Sequence, residues 1–488
     1  KVRTWHTVAA LSRAKKLLRG KTDEELMSIP PMTDRTKIYA MELLRHMATF
    51  LFVMQDKSLV PLVYARLLEL SVLHGTSPST CFAYICYAMM HCVMMDIESA
   101  FRFGSLALRL ISTADPATVP GISIFFHVFM SHWRRPLRES LDDLLRGFEV
   151  GMDAGEIHYG LYCAGSYCSN YLSSGLPLQP VTQDLKNFLR LMKDNKQHGT
   201  FLLHVPLLQY ALNVIGESED PFILTGEAMN QDEFLLEASK ETDQIAIRTL
   251  NHRRLALAMM FGQDLATTEE IFLATMKHEL DIKTSMVQVD VNFLGALLYT
   301  DLARTTGKRR VYAKKARQQM KVIEKWVKKG NGNCLGALQL LKAEQLSIQK
   351  KTPPMEVRRA YDVAIQSSLR CGFIHHAALA NERVGTFFLD QHNDLDWAKL
   401  YLVRAAELYS EWDAWRKVHK MEWDYSFVSA LDLGDKRSGN SASSGSRKSS
   451  NGVTRLSFQG RKRFNTKVMD QHAKLSFEDH SRDSGSLS

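Results

Sequence analysis

Segments of helical periodicity follow one another along almost the whole chain, separated by short, strongly punctuated breaks, and no stretch shows the apolar-polar alternation of a strand. The punctuation has physical meaning. Thr22-Asp-Glu-Glu25 has the form of a capping box, and Ile29-Pro-Pro-Met-Thr-Asp34 is a turn followed by a fresh N-cap. Ser77-Pro78 predicts a helix to about Met95, with proline in the first turn where its missing N–H costs nothing. Asp96 breaks that pattern and Ile97 to Ile111 returns. Asp115-Pro116 and Val119-Pro-Gly121 form the next break. Arg135-Pro136 starts a helix to about Ala154, and Glu156 to Ser173 follows after Gly155. With 27 glycines and 13 prolines in 488 residues, such breaks are rare enough to leave helices throughout. The length exceeds one ordinary domain of ~100–200 residues, so the chain reads as several domains or one elongated array.

A spacing of small residues favours the array. Ala100 and Ala107 lie seven apart with Gly104 between them, just after Asp96; Ala398 and Ala405 repeat the spacing around Leu402, just after Asn393-Asp394. Seven residues return to the same helix face, and small side chains there let a neighbouring helix approach closely. Alanines at that spacing also arise by chance, but both pairs follow an acidic turn between helices. The expected fold is all-α, an α-solenoid of stacked antiparallel helix pairs of tetratricopeptide-like form, without the full consensus of that repeat. Residues 1–215 form an N-terminal half, 216–240 an irregular connection and 241–430 a C-terminal half. Residues 431–488 are a Ser-rich basic tail too polar to bury a core, expected to be disordered.

The net charge of +9 invites a nucleic-acid or membrane reading until it is located. From Gly434 to Ser488 there are 11 Lys and Arg against 5 Asp and Glu, a balance of +6; the remainder holds 51 against 48, a balance of +3. Spread over the body that excess is small, and nucleic-acid binding is not expected. No apolar run, Ala48 to Met54 among them, reaches the length of a membrane span. Seven cysteines without regular spacing suit reduced thiols in a cytoplasmic protein. In the tail, Arg455-Leu-Ser-Phe458 and Lys474-Leu-Ser-Phe477 share a pattern, making Ser457 and Ser476, with Ser449, candidate phosphorylation sites.

Chemistry is harder to find. Gly20-Lys21-Thr22 imitates the end of a phosphate-binding loop, but Lys15 stands where the first glycine belongs and the preceding residues are helical. Cys163 and Cys168, five apart, are turned by roughly 140° on a helix and cannot share a metal alone. Cys86 with His91 and Cys92, and the pair His375-His376, read as buried structural residues. Gly165-Ser166 lacks the second glycine of a nucleophile elbow, and Asp142-Asp143 and Glu269-Glu270 diverge around their helices. No catalytic, cofactor or metal site is expected. Candidate partner-binding residues are His132, Trp133 and Arg134, where aromatic and guanidinium groups concentrate, and Asn381, Glu382 and Trp412. The competing reading has Trp133 packing between hairpins and the arginines capping helix C-termini.

The run Arg359-Ala-Tyr-Asp-Val-Ala-Ile365, followed by Gly372-Phe373, Ala377-Ala-Leu-Ala-Asn-Glu-Arg383 and Ala398-Lys-Leu-Tyr-Leu-Val-Arg-Ala-Ala-Glu-Leu-Tyr409, continues through Trp412, Ala414, Lys417-Val418 and Glu422 to Tyr425. It resembles the tetratricopeptide-like helical region of very large signal-transduction kinases. In those proteins a kinase or adapter domain and an AAA-type ATPase precede the region, and GAF, PAS and histidine-kinase or other output domains follow. Leu18 to Leu26, Pro30 to Asp34, Arg102 to Leu108, His132 to Ser140, Ser218 to Glu227 and Asn251 to Asp264 resemble the same region in order, so the likeness covers roughly residues 10–425. The ATPase and the output domain lie outside this sequence, so their activities are not carried over to these residues. The resemblance implies a fragment of a multi-domain protein and a non-catalytic interaction or relay module. Its partners are expected to be a protein or peptide, or the flanking domains of the same parent.

Overall fold

The computed structural model describes residues 4–53, 56, 58–241, 243–277 and 283–429, all within one unit spanning residues 1–433. The tail from 431, with Ser449, Ser457 and Ser476, lies outside the described residues. Among the described residues there is no strand; Pro31 and Thr76 make one isolated bridge.

The helices are α1 (Thr4–Leu18), α2 (Asp23–Met27), α3 (Arg35–Val53), α4 (Val60–His74), α5 (Thr80–Val93), α6 (Ile97–Arg109), α7 (Val119–Phe129) and α8 (Ser140–Asp153). Next come α9 (Ile157–Ser173), α10 (Leu178–Asp194), α11 (His198–Ile215), α12 (Gln231–Lys240), α13 (Gln244–Phe261), α14 (Leu265–Lys277) and α15 (Met286–Thr305). The chain continues through α16 (Arg309–Lys328), α17 (Leu335–Ser347), α18 (Pro354–Cys371), α19 (Ile374–His392), α20 (Leu395–Glu411), α21 (Trp415–Asp424) and α22 (Ser426–Ser429). From α5 to α19 the odd-numbered helices pack side by side as an inner layer, and even-numbered helices pack outside them as antiparallel partners. The fold is an all-α solenoid of helix pairs. Its two layers have different sequences for a reason: α5 is buried at every residue from Thr80 to Cys92, whereas α16 buries only Ala316, Met320, Ile323 and Trp326.

The predicted punctuation operates locally. Thr22 Oγ1 accepts from the Glu25 amide at 3.2 Å while Glu25 accepts from the Thr22 amide at 2.7 Å, closing the capping box on α2. Asp96 caps α6 through the Ser99 amide and Asp394 caps α20 through the Trp397 amide. Ala100, Ala107, Ala398 and Ala405 are all buried. A Cβ on Gly104 would come within 2.7 Å of both Met130 and Phe126, so this position admits the α7 region only as glycine.

Two expectations are corrected. Ser77 and Pro78 lie in the turn before α5, where the Ser77 amide donates to Thr80 Oγ1 at 2.8 Å. The irregular connection ends at Asn230, whose side chain accepts from the Asp232 and Glu233 amides and starts α12. Residues 216–240 therefore do not divide two halves. Asn213 Nδ2 donates to the carbonyls of Asp220 at 3.1 Å and Ile223 at 2.8 Å, Leu224 is buried, and α11 packs directly on α13.

The solenoid also returns onto itself. Arg138 beside α8 donates to the Gly372 carbonyl at the end of α18, and Gln179 of α10 donates to Asp413 after α20, both 234 residues apart. One superhelical turn thus takes ten helices, or five pairs. Successive turns meet along a seam.

Candidate functional site

The sequence-selected cluster at 132–136 is the upper part of that seam. His132 and Trp133 are fully buried, and both point at the Thr284 carbonyl, His132 Nε2 at 2.7 Å and Trp133 Nε1 at 3.3 Å. The rings of Trp133 and Trp326 lie 4.2 Å apart between centroids. Asn331 Nδ2 sits 3.1 Å from His132 Nδ1, so the imidazole is neutral with its proton on Nε2. Burial pushes its pKa down to about 4. Asn333 completes the join, donating to the carbonyls of His132 and Arg135 and accepting from the Leu137 amide. Arg134 donates to the Lys329 carbonyl at 2.7 Å, the end of α16, and pairs with Glu98 at 2.9 Å. These side chains bind the protein to itself rather than offering a free face.

The second group is equally internal. Asn381 is buried and donates to Ala377 O at 2.8 Å. Glu382 accepts from Lys417 Nζ at 2.6 Å and from the Tyr409 hydroxyl at 2.8 Å, and Lys417 also donates to Met260 O across the seam. Trp412 is buried against His375, with ring centroids 5.1 Å apart.

Inside the turn, between these contacts, lies a cavity of about 100 Å³ that adjacent sequence positions gave no means of detecting. Inner helices α11, α13, α15 and α19 contribute Tyr210, Arg253, Asp290 and the pair His375-His376, and Trp412 closes one side. Arg253 is 4% exposed, its guanidinium lies 5.3 Å from the Tyr210 ring centroid, and among the described residues it makes neither a hydrogen bond nor an ion pair. Asp290 Oδ2 accepts from His252 Nε2 at 2.7 Å; its side chain keeps 34% of its surface, facing the cavity. Burial alone would raise the Asp290 pKa, but the His252 hydrogen bond and the charges of His252 and Arg253 hold it well below the usual carboxylate range. Burial lowers both His375 and His376, the latter to about 4, leaving neutral imidazoles. Nδ1 of each, like Trp412 Nε1, hydrogen-bonds to no described protein group. His375-His376, read from sequence as a structural pair, thus opens onto a cavity.

The outer surface carries a second feature that the near-neutral total concealed. Arg310, Lys314, Arg317, Lys321, Lys325 and Lys328 of α16 are all exposed. At 3.6 residues per turn they fall within roughly 80° of arc, a stripe about 27 Å long. None pairs with an acidic group among the described residues, and Glu324 is the one acid of the helix. Net charge over a whole body averages such a stripe away.

Among the described residues no group of three or more His, Cys, Asp and Glu side chains has the arrangement of a metal site, and no helix is long and apolar enough to cross a membrane. Gly20, Lys21 and Thr22 form the turn between α1 and α2.

The fold and its seam define an all-α helical-repeat protein whose superhelix packs turn against turn. No known family model matches the chain, and no curated protein sequence does. Among solved structures it matches a circular tandem repeat protein with novel repeat topology and enhanced subunit contact surfaces, at 15% identity and a TM-score of 0.18, covering 83% of this chain and 99% of that one.

Proposed function

We propose that this chain is a non-catalytic helical-repeat interaction module of a multi-domain signal-transduction protein, and that it holds an acidic protein surface on the outer face of α16. The observation that carries the reading is the stripe from Arg310 to Lys328, six exposed cations with no acidic partner among the described residues. Along the seam each turn covers the next, so the concave groove that stacked hairpins ordinarily offer is taken up by the chain itself. A partner is left with the outer layer. No aromatic side chain stands on the stripe to stack a base, which favours a protein partner over a single-stranded nucleic acid. The resemblance to multi-domain kinases supports a cytoplasmic setting in which a flanking ATPase or output domain, or a separate protein or peptide, supplies the acidic surface. Any kinase or ATPase activity then resides in those domains.

Zero-length carboxylate-to-amine crosslinking of the intact parent protein tests this. Lys314, Lys321, Lys325 or Lys328 should join to acidic residues of another domain or protein, and the triple reversal Arg317→Glu, Lys321→Glu, Lys325→Glu should abolish the crosslinks with the helical circular-dichroism signal retained. Absence of such crosslinks, or binding of the stripe to duplex nucleic acid at ~0.15 M salt, sinks the reading.

A further inference from the structure

The lumen cavity has the chemistry of a small-molecule site, and this inference is independent of α16. Elsewhere the chain pairs its buried charges closely: Arg383 with Asp301 and Glu344, Lys417 with Glu382. Arg253 departs from that pattern. It is as buried as Lys417, at 4% exposure, yet its guanidinium donates to no described protein group. A buried cation without hydrogen bonds is costly unless something else satisfies it. Asp290, from the neighbouring helix α15, opens onto the same space, with Oδ2 held by His252 and no donor to Oδ1 among the described residues. Acid and base thus face one cavity without forming an ion pair.

We propose that this cavity binds a free α-amino acid with a small apolar side chain, its carboxylate on Arg253 and its ammonium on Asp290. Charge balance selects the zwitterion. Arg253 and Asp290 together are neutral, so a carboxylic acid would leave the site one charge negative and an amine one charge positive, whereas an amino acid leaves it neutral. The neutral rings of His375 and His376, with Trp412, wall the cavity without adding charge to it. Met259, Met260, Met286, Phe293 and Leu297 line the rest and suit an aliphatic side chain. A cavity of ~150 Å³ admits benzene, with six heavy atoms, so about 100 Å³ favours the smallest ligand, alanine, also of six, and takes valine or leucine only as the adaptable methionines yield.

Isothermal titration of the full chain with alanine, valine and leucine tests the proposal, alongside 3-methylbutanoate and 2-methylpropylamine, which are valine without its amine and without its carboxylate. At least one of the three amino acids binds, and for valine each analogue binds at least tenfold more weakly. Arg253→Gln and Asp290→Asn each lose the binding. Because the analogue series uses the unaltered protein, it decides the matter even where a variant fails to fold. No binding of any of the three amino acids, or 3-methylbutanoate binding as tightly as valine, overturns it; so does a folded Arg253→Gln protein that binds as before.

Discussion

Arg383 of α19 clamps Asp301 of α15 with both terminal nitrogens, Nη1 at 2.8 Å from Oδ2 and Nη2 at 2.6 Å from Oδ1. Its Nε and Nη2 reach Glu344 of α17 at 2.7 and 2.8 Å, and Arg304 and the Tyr361 hydroxyl also bond that carboxylate. One guanidinium therefore ties three consecutive inner helices. Burial would raise the Glu344 pKa, but the charges of Arg383 and Arg304 hold it well below the usual carboxylate range.

Removing that clamp leaves two carboxylates with too little positive charge. Arg383→Met is expected to cost about 3–5 kcal/mol, the range for breaking a buried pair from one side. Chemical denaturation measures it. A loss under about 1 kcal/mol would show that Arg304 alone sustains the network.

The seam makes a separate prediction. Trp133→Ala deletes a fully buried ring packed on Trp326 and should cost about 3–5 kcal/mol. Because Trp133 joins one superhelical turn to the next, the variant should also loosen the turn. Small-angle scattering should report a larger radius of gyration with circular dichroism little changed; an unaltered radius would show that the polar seam contacts suffice.

Stability should fall on mild acidification. His132 titrates at about 4 in the folded chain against 6.5 in the free side chain, so between those values the unfolded state binds more protons. Its contribution is complete above pH 6.5 and is lost as pH falls from 6.5 towards 4, about 2 kcal/mol by pH 5. His204 and His376, lowered by the same burial, add to the slope. Denaturation midpoints between pH 7 and 5 check the direction, and His132→Gln should flatten the profile. A Glu344 held low acts in the same direction at lower pH, with stability present above its unfolded pKa near 4.5 and lost below it.

Gly372 ends α18 at φ +80°, and a Cβ there would stand 2.2 Å from Arg138 Nη2, which donates to the Gly372 carbonyl. Gly372→Ala combines left-handed strain of about 1–2 kcal/mol with displacement of the Arg138 contact. Gly262, also left-handed at φ +77° but with open space around it, should lose only the strain on the same change. Equal losses at the two positions, by thermal denaturation, would deny Arg138 a role in the seam.

Much of the local architecture was legible because capping and periodicity are short-range. Thr22 and Glu25, Asp96, Asp394 and the alanine pairs each act within a few residues, and they determined that the chain is helical, where many helices begin and that the helices pack in pairs. Residues whose meaning depends on contacts some 150–230 positions away were not legible. Trp133 with the Thr284 carbonyl, Arg138 with Gly372, and Gln179 with Asp413 come together only when five helix pairs have accumulated enough rotation to complete a turn. That rotation is the sum of small packing angles, which no local pattern encodes. The same closure turned His132 and Trp133 from candidate surface residues into core. It also brought Arg253, Asp290 and His375, from three different helices, around one cavity.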